Sequence, residues 1–563
     1  MRHAFRTVNG ALAAAVLTAA LTACGHGGER EPVARLEDTR GCTPVDVVAA
    51  PETARPVGSL AREFNRTDAA RTGTAGCVWV RVHTVGSGRA AELLDADWAD
   101  APEALGPAPA LWVPASGAWV ALANERAAAR GQAPVAGDGP SFARSPTVIA
   151  MPEPMARALG WPEQPVGWAT LARLAADPRG WASTGHPEWG AFKLGKADPN
   201  LDDSALLQTI ATNTDVATAT ALEASVVYYG DASWPFLDTW WRLDQKGGDA
   251  PGDAPGFASA VVTDARTVLA YDRGSPNGVV PAKPREKLPK VPLVAITPDG
   301  SPSASDNPMA PVLRPWVSPD ARQGAEAFTR FATGPAATAL VAKEGFEPGG
   351  SPVAAYTGVD AVLADWEARR KQGRLLLLVD VSASMGDRTD PRDDDSPTKM
   401  DLAKIALLRS LGALSDDDDV GLRTFTTGPD DELVMQDVVP IGPLGAQREA
   451  IEAAIVALRP QIGSPLYAAE RAAFATMESG FDPVRINGVV TLTDSHNEYD
   501  PENDRKELLA RLHPPVRMFG IAYSDSADLG ALRRIAQATN SRAYDATNPQ
   551  VVSDAVYAAV SNF

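Results

Sequence analysis

The chain has 563 residues, which is too long for a single hydrophobic core and predicts about three domains. Apolar residues make up 45% and charged residues 22% of the sequence, as is ordinary for globular domains. The formal net charge of −19 argues against nucleic acid as a partner, because phosphate binding needs clustered Lys and Arg. The same charge argues against attachment to an anionic membrane surface by electrostatics alone.

The first 23 residues carry basic side chains and then an apolar run from Ala11 to Ala23. This run is too short for a permanent membrane-spanning helix and is typical of a signal peptide. It ends in the sequence Leu-Thr-Ala-Cys at Cys24, which resembles a bacterial lipobox. The resemblance implies that Cys24 is lipidated and that an exported protein is anchored to the outer face of the cell membrane, with no other membrane contact. The alternative is an ordinary cleaved signal peptide in which Cys24 is incidental.

Residues 24–42 are polar and are interpreted as a tether. Two further cysteines, Cys42 and Cys77, flank the first expected strand–helix–strand unit. A disulfide between them is plausible in an oxidising compartment, and two buried free thiols are the alternative.

Residues 43–350 alternate short apolar strands with amphipathic helices, which indicates an α/β domain. The phrases Thr84–Gly88, Leu111–Ser116, Arg144–Met151 and Lys193–Asn200, in this order, resemble extracellular solute-binding proteins of the two-lobed type II class. The resemblance implies a ligand cleft between two lobes. Hydroxyl groups and helix N-termini are suited to such a cleft.

The resemblance implies five candidate cleft residues, with Ser145 expected in the loop before a strand: Ser87, Ser116, Ser145, Asp198 and Ser204. The alternative for each serine is an ordinary helix cap or turn residue. The acidic pair Asp202 and Asp203 stands where that family often has a Thr-Ser-Gly stretch, which argues against an oxyanion ligand.

A Pro- and Gly-rich turn follows, and residues 351–372 are expected to form a linker helix. The segment 373–563 then opens with the apolar run Arg374–Val379, which is typical of a strand buried on both faces of a parallel sheet. Strands and helices alternate from there to the last residues, which predicts a doubly wound, Rossmann-like sheet. Ligands of such sheets bind beyond the carboxyl ends of the strands.

Asp380, Ser382 and Ser384 form a D-x-S-x-S sequence directly after this strand, and Ser464 and Asp494 follow further along the chain. This set resembles the metal-ion-dependent adhesion site of von Willebrand factor A (VWA) domains. The resemblance implies that the five residues bind Mg²⁺, or alternatively Mn²⁺ or Ca²⁺, directly or as neighbours of its ligands. Oxygen atoms are the ligands that such hard cations prefer. The alternative is a decayed site in which these side chains only cap helices.

These features together predict a surface-anchored binding protein that is not an enzyme. The middle domain would bind a small solute, and the VWA domain would bind an unidentified protein or polymer through its metal. The alternative is an accessory substrate-binding component of a membrane transport system. A metal-assisted hydrolase built on Asp494, His496 and Glu498 is disfavoured, because the sequence lacks paired-His ligand spacing, a nucleophile elbow and a P-loop.

Overall fold

A computed structural model describes residues 41–72, 76–99, 101–246, 257–299, 303–350, 355–430, 432–498 and 504–563. Gly41–Phe563 form one compact unit. The expected signal peptide, Cys24 and all but the last two residues of the expected tether lie outside the described residues.

The part of the chain before residue 350 contains short strands, most of them buried. They are β1 (Thr43–Ala49), β2 (Val78–Thr84), β3 (Leu111–Val113), β4 (Ala143–Pro152), β5 (Leu194–Ala197), β6 (Val226–Gly230), β7 (Ala260–Asp264), β8 (Leu293–Ile296), β9 (Ala304–Ser305), β10 (Ala310–Pro311) and β11 (Glu347–Pro348).

Helices connect these strands and lead to the next domain. They are α1 (Pro51–Phe64), α2 (Ser87–Asp95), α3 (Gly117–Ala129), α4 (Glu153–Ala158), α5 (Trp168–Ala176), α6 (Asp203–Thr212), α7 (Val216–Ala224), α8 (Trp234–Lys246), α9 (Ala265–Asp272), α10 (Pro319–Ala332), α11 (Pro335–Lys343) and α12 (Val359–Glu367).

The strands form two sheets, and each sheet is the centre of one lobe. Lobe 1 has the strand order β10-β3-β1-β2, with β1 parallel to both of its neighbours. Lobe 2 has the order β11-β4-β7-β5-β6, and β8 and β9 also pair with β4. The chain passes from lobe 1 to lobe 2 before β4, returns between β9 and β10, and later adds β11 to the sheet of lobe 2, so each lobe is built from separate stretches of sequence. This arrangement agrees with the expected two-lobed α/β fold.

The C-terminal domain contains a six-stranded sheet and six further α-helices within its described residues. Its strands are β12 (Gly373–Asp380), β13 (Asp419–Thr427), β14 (Leu433–Pro443), β15 (Ile486–Thr493), β16 (Arg517–Ala522) and β17 (Ala543–Asp545). Its helices are α13 (Lys399–Ser410), α14 (Leu444–Ala457), α15 (Leu466–Ser479), α16 (Asp504–Arg511), α17 (Leu529–Ala538) and α18 (Val552–Val560).

The order of this sheet is β14-β13-β12-β15-β16-β17, with only β14 antiparallel to its neighbour. Alternate residues of β12 enter different cores because successive side chains of a strand point to opposite faces. Leu375 and Leu377 pack in one apolar cluster, and Leu376 and Leu378 pack in another. Burial on both faces explains the continuous apolar run, and the fold class expected for this segment is confirmed.

Lobe 2 and the C-terminal domain share one continuous apolar core. Tyr228 of β6 meets Phe519 of β16 edge to face, with ring centroids 5.7 Å apart. The backbone N–H of Tyr229 donates to the carbonyl of Asn562 at 3.0 Å. The two domains are therefore packed against each other like parts of a single domain.

Cys42 and Cys77 are joined by a disulfide that ties the chain before β1 to the chain before β2. Among the residues that the structure describes, no helix combines the length and the apolar character that crossing a membrane requires.

Glu470 lies on α15 and is buried in the C-terminal domain, with only 1% of its surface exposed. Burial raises its pKa to about 7, and the neighbouring side chain of Thr491 opposes the shift only in part. The folded state therefore holds a proton that the unfolded chain releases near the ordinary carboxyl pKa of 4.5. Stability must fall as the pH rises through this window, from about 4.5 to about 7.

Glu470→Gln should remove this loss of stability. We expect the variant to be more stable than the wild type at pH 8 by on the order of 2 kcal/mol, and the difference to shrink at pH 5. Urea-induced unfolding at the two pH values measures the effect. Glu452→Gln, an exposed position on α14, is the control and should show no pH-dependent difference. Equal stabilities of Glu470→Gln and wild type at pH 8 would contradict a raised pKa of Glu470.

Candidate functional site

The carboxyl ends of β12 and β15 bring together two acidic residues of the C-terminal domain. Asp380 is the last residue of β12, and Asp494 follows directly after β15. These strands are adjacent and parallel, with Val379 opposite Leu492, so their carboxyl ends meet at the same edge of the sheet. Both carboxylates are fully buried.

Asp380 accepts three hydrogen bonds from three separate segments. The hydroxyl of Ser464 donates to its Oδ2 at 2.7 Å, and the hydroxyl of Thr493 donates to the same oxygen at 2.6 Å. The backbone N–H of Ser382 donates to Oδ1 at 2.8 Å. Burial raises the pKa of Asp380 to about 6, although these hydrogen bonds oppose the shift.

Asp494 is surrounded by the remaining hydroxyl groups. The hydroxyls of Ser384, Ser495 and Ser382 donate to its Oδ1 at 2.9, 3.2 and 3.4 Å. The Oγ atom of Ser384 also lies 3.1 Å from the Oγ atom of Ser382. The five residues that the sequence suggested, Asp380, Ser382, Ser384, Ser464 and Asp494, thus lie in one connected cluster, which we call the oxygen cluster.

The loop that carries Ser464 approaches the sheet closely because Gly463 precedes it. A Cβ atom at Gly463 would lie 2.7 Å from Thr427 Oγ1 and 3.0 Å from Glu498 Oε2. The backbone N–H of Ser464 itself donates to Glu498 Oε2 at 3.2 Å. Glycine at this position therefore allows the Ser464 hydroxyl to reach Asp380.

Lys399 is a cationic member of this site that the sequence pattern did not reveal. Its Nζ lies 2.8 Å from Asp494 Oδ2 and 3.7 Å from Asp387 Oδ2. Lys399 is the first residue of α13, whose N-terminus is held by reciprocal hydrogen bonds between Thr398 and Asp401. This cap fixes the start of the helix and with it the backbone position of Lys399.

Thr493 is the second site residue that sequence reasoning missed. Its position next to Asp494, at the end of a buried strand, was the available signal. The sequence offered no comparable indication for Lys399, because Lys399 is separated from Asp494 by 95 residues and belongs to no recognisable sequence motif.

The chemistry of the oxygen cluster suits a hard divalent cation. Two buried carboxylates and the surrounding hydroxyls supply only oxygen donors, which Mg²⁺, Mn²⁺ and Ca²⁺ prefer. The described residues contain no group of three or more His, Cys, Asp or Glu side chains that could hold a metal. Metal binding here would therefore depend on hydroxyl groups in addition to the two carboxylates.

A second candidate site is a cavity of about 480 Å³ between the lobes. Ser87 at the start of α2, Ser145 and Ser204 line it, so the structure brings these three candidate cleft residues together. The sequence had suggested that Ser145 lies in a loop before a strand, but the structure places it within β4. The reason is that β4 begins at Ala143 and pairs with β9 at this point.

The other two candidate cleft residues lie elsewhere. Ser116, the N-cap residue of α3, is fully buried behind the cavity wall, where its hydroxyl donates to Asp203. Asp198 lies outside the cavity, in the turn after β5, because its carboxylate accepts hydrogen bonds from the backbone N–H and the side chain of Asn200. It lines a separate cavity of about 530 Å³ beside α12.

Arg542 and Ala558 of the C-terminal domain also line the interlobe cavity. The guanidinium of Arg542 lies 2.6 Å from Asp231 Oδ1 and 4.8 Å from the ring centroid of Trp234. The cleft thus has three walls: one from each lobe and one from the C-terminal domain.

Comparisons with known proteins match both parts of the chain. Residues 45–347 match the family model of bacterial extracellular solute-binding proteins, and residues 375–498 match that of the von Willebrand factor type A domain. Uncharacterised proteins from two strains of Mycobacterium tuberculosis are 26% identical over 425 residues, which is 71% of this chain. The chain spans 57% of the length of these relatives.

Solved structures are similar to separate parts of the chain. A von Willebrand factor type A structure from Catenulispora acidiphila is 18% identical, with a TM-score of 0.29, covering 34% of this chain and 42% of that chain. A substrate binding domain from Clostridium difficile is 11% identical, with a TM-score of 0.31, covering 55% of this chain and all of that chain. A form of proximal thread matrix protein 1 from the mussel byssus, whose MIDAS motif is occupied by zinc, is 13% identical, with a TM-score of 0.26, covering 33% of this chain and 47% of that chain.

The solute-binding model alone covers more than half of the 563 residues. Solute-binding and VWA domains are typically binding modules without catalytic activity. Together with the two lobes and the cavity between them, this match shows that the chain belongs to the family of bacterial extracellular solute-binding proteins and carries a C-terminal von Willebrand factor type A domain.

Proposed function

We propose that this protein is an exported, lipid-anchored binding protein with two binding sites. A small solute enters the cleft between the lobes, and the oxygen cluster holds Mg²⁺, or in its place Mn²⁺ or Ca²⁺. Through this ion the VWA domain binds a carboxylate of a protein or polymer. The observation that carries the proposal is the convergence of Asp380, Ser464 and Asp494, from three separate segments, at one edge of the sheet.

The residues of the oxygen cluster have distinct roles in this proposal. Asp380 and Asp494 supply the negative charge, and the hydroxyls of Ser382, Ser384 and Ser464 supply neutral oxygens whose protons are already donated to these carboxylates. A bound divalent cation would supply an incompletely neutralised charge that attracts a carboxylate of the partner. The hydrogen bonds among the side chains keep the oxygens in place before the ion arrives.

The first experiment is a calorimetric titration of the purified protein with Mg²⁺ and Mn²⁺. We expect one ion to bind per chain and its removal by a chelator to reverse the binding. An ion that binds only the folded state should also raise the melting temperature of the protein. The absence of heat and of any thermal shift with either ion and with Ca²⁺ would contradict the metal site.

Lys399→Met should strengthen Mg²⁺ binding. The ammonium group of Lys399 contacts Asp494 Oδ2 and therefore competes with the ion for the same negative charge. We expect affinity to rise at least about tenfold, since a close charge pair at a partly buried position interacts by a few kcal/mol and a tenfold change corresponds to about 1.4 kcal/mol. Lys404→Met is the matched control on the same helix and should leave the affinity unchanged. A weaker affinity in Lys399→Met would show that Lys399 supports the ion site instead of competing with it.

Cys24→Ser tests the membrane anchor. Lipid attachment requires the thiol, so the variant should leave the membrane fraction or accumulate as an unprocessed precursor. Fractionation and intact-mass measurement distinguish the two results. Cys42→Ser is the control, since it removes a cysteine engaged in the disulfide and should keep the lipid. A Cys24→Ser protein of wild-type mass in the membrane fraction would refute lipidation at Cys24.

A further inference from the structure

The cavity between the lobes is lined by more acidic than basic side chains. Three arginines face it: Arg55, Arg266 and Arg542. Six carboxylic acids face it: Glu52, Asp202, Asp203, Asp231, Asp264 and Glu344. The walls therefore carry twice as many acidic as basic groups.

Each arginine is already engaged with one of these acids. The pairs are Arg55 with Glu344, Arg266 with Asp264 at 4.0 Å, and Arg542 with Asp231 at 2.6 Å. Glu52, Asp202 and Asp203 form no ion pair among the described residues. These three acids are the carboxyl groups of the cleft that have no cationic partner among the described residues.

Asp203 accepts the hydrogen bonds that would otherwise be offered to an anion. The hydroxyls of Ser116 and Ser305 donate to its Oδ1 and Oδ2, each at 2.5 Å, and the indole N–H of Trp119 donates to Oδ1 at 2.8 Å. Ser116 and Trp119 belong to lobe 1, whereas Asp203 and Ser305 belong to lobe 2. The Asp203 carboxylate therefore joins the lobes from inside the protein.

Asp202 and Asp264 use further donors around the cavity. Asp202 accepts from the backbone N–H of Ala205 at 2.9 Å and from that of Ser233 at 3.0 Å. The hydroxyl of Ser145 donates to Asp264 Oδ1 at 2.8 Å. An anionic solute would have to displace these carboxyl groups from donors that they already occupy.

From this arrangement we infer that the cleft takes a small organic cation carrying ammonium or guanidinium groups. The inference rests on the proposal that the cleft binds a solute, and it names the chemical class of that solute. A volume of about 480 Å³ suits a small molecule and greatly exceeds the space of a single metal ion. Phe346 and Trp234 line the same cavity, and their rings contact the guanidinium groups of Arg266 and Arg542, at 4.7 and 4.8 Å.

The unpaired acids hold their protons more tightly than exposed carboxyl groups do. Burial, together with the neighbouring carboxylates, raises the pKa of Asp202 to about 8 and that of Asp203 to about 7. Burial also raises the pKa of Glu52, and Asp264 adds to the effect while Arg266 opposes it. A cation would favour the ionised forms, so its entry releases protons.

The test is a calorimetric titration of the whole protein with spermidine and with arginine, in buffer containing Mg²⁺ and physiological salt. Parallel titrations use molybdate and sulfate. We expect one equivalent of at least one of the cations to bind, with proton release in buffers of different ionisation enthalpy. Neither anion should bind. Glu52→Gln should weaken binding of the cation at least about tenfold, because Glu52 can ionise beside the cation and forms no ion pair among the described residues.

Glu63→Gln is the matched control, because Glu63 is an exposed residue on the same helix, α1. It should bind the cation as the wild type does. Binding of molybdate or sulfate without binding of either cation would overturn the cationic inference and leave the solute-binding proposal standing. Equal weakening by Glu52→Gln and Glu63→Gln would show diffuse attraction to an acidic protein and would overturn the inference. No binding of either class would overturn both proposals.

Discussion

Asp380→Asn should abolish Mg²⁺ binding by the VWA domain and leave the chain folded. Asparagine keeps the shape of the side chain and an oxygen that accepts from Ser464 and Thr493. It removes one of only two buried negative charges in the oxygen cluster, and neutral oxygens cannot replace that charge for a divalent ion. We expect affinity to fall by at least about a hundredfold, since the charge acts at a buried position.

Calorimetry with Mg²⁺ measures the affinity, and circular dichroism with thermal unfolding measures the integrity of the fold. Asp545→Asn is the control, because Asp545 also ends a strand of this sheet, β17, but is exposed and hydrogen-bonds Thr547. It should bind Mg²⁺ as the wild type does. Undiminished affinity in a folded Asp380→Asn protein would refute the assignment of Asp380 as a ligand.

Arg370→Ala should destabilise the protein by about 3–5 kcal/mol, since it leaves a buried charge without a partner. Arg370 follows α12 and forms an ion pair with Asp418, with 2% and 0% of the two side chains exposed. Its guanidinium also donates to the carbonyl of Phe563 at 2.6 Å. Asp418 in turn accepts from the backbone N–H of Gly373 at 2.6 Å, where β12 begins. Arg370 and Asp418 therefore connect the segment after α12, the start of β12 and the segment after α18.

Arg448→Ala is the control for this prediction. Arg448 pairs with Asp416 at 2.9 Å close to the same region, but the two side chains are 31% and 73% exposed. Its removal should cost about 1 kcal/mol or less, because exposed ion pairs contribute little. Urea-induced unfolding compares the two variants. The double variant Arg370→Met, Asp418→Asn should recover part of the loss, and equal effects of Arg370→Ala and Arg448→Ala would contradict the role assigned to burial.

The shared core of lobe 2 and the VWA domain gives the two proposed sites a structural connection. Arg542 belongs to the VWA domain, lines the solute cleft and pairs with Asp231 of lobe 2. Tyr228 and Tyr229 of lobe 2 are buried, and both contact the C-terminal domain. Binding studies therefore require the whole chain, because a separated middle domain would expose these aromatic side chains and lose one wall of its cleft.

Local sequence patterns were sufficient for the order of the elements and for the fold class. The apolar run Arg374–Val379 predicted a strand buried on both faces, and β12 occupies the centre of its sheet with both faces covered. The placement of Asp380 and Asp494 also followed from the sequence. Parallel strands end at the same edge of a doubly wound sheet, so residues after two neighbouring strands are brought close together. Whether these side chains bind a metal stays a prediction.

Only the tertiary structure decided which side chains meet across long sequence distances. Lys399 contacts Asp494 across 95 residues, and Ser116 contacts Asp203 across 87 residues. Asp198 resembled a cleft residue in sequence yet lies outside the cleft, since its turn bonds to Asn200. The physical reason is that hydrophobic periodicity reports which face of an element is buried, but not which distant element covers that face. The packing of lobe 2 against the VWA domain thus determined the third wall of the cleft. Contacts between buried carboxyl groups and distant hydroxyls determined which acidic groups of the cleft remain for a ligand.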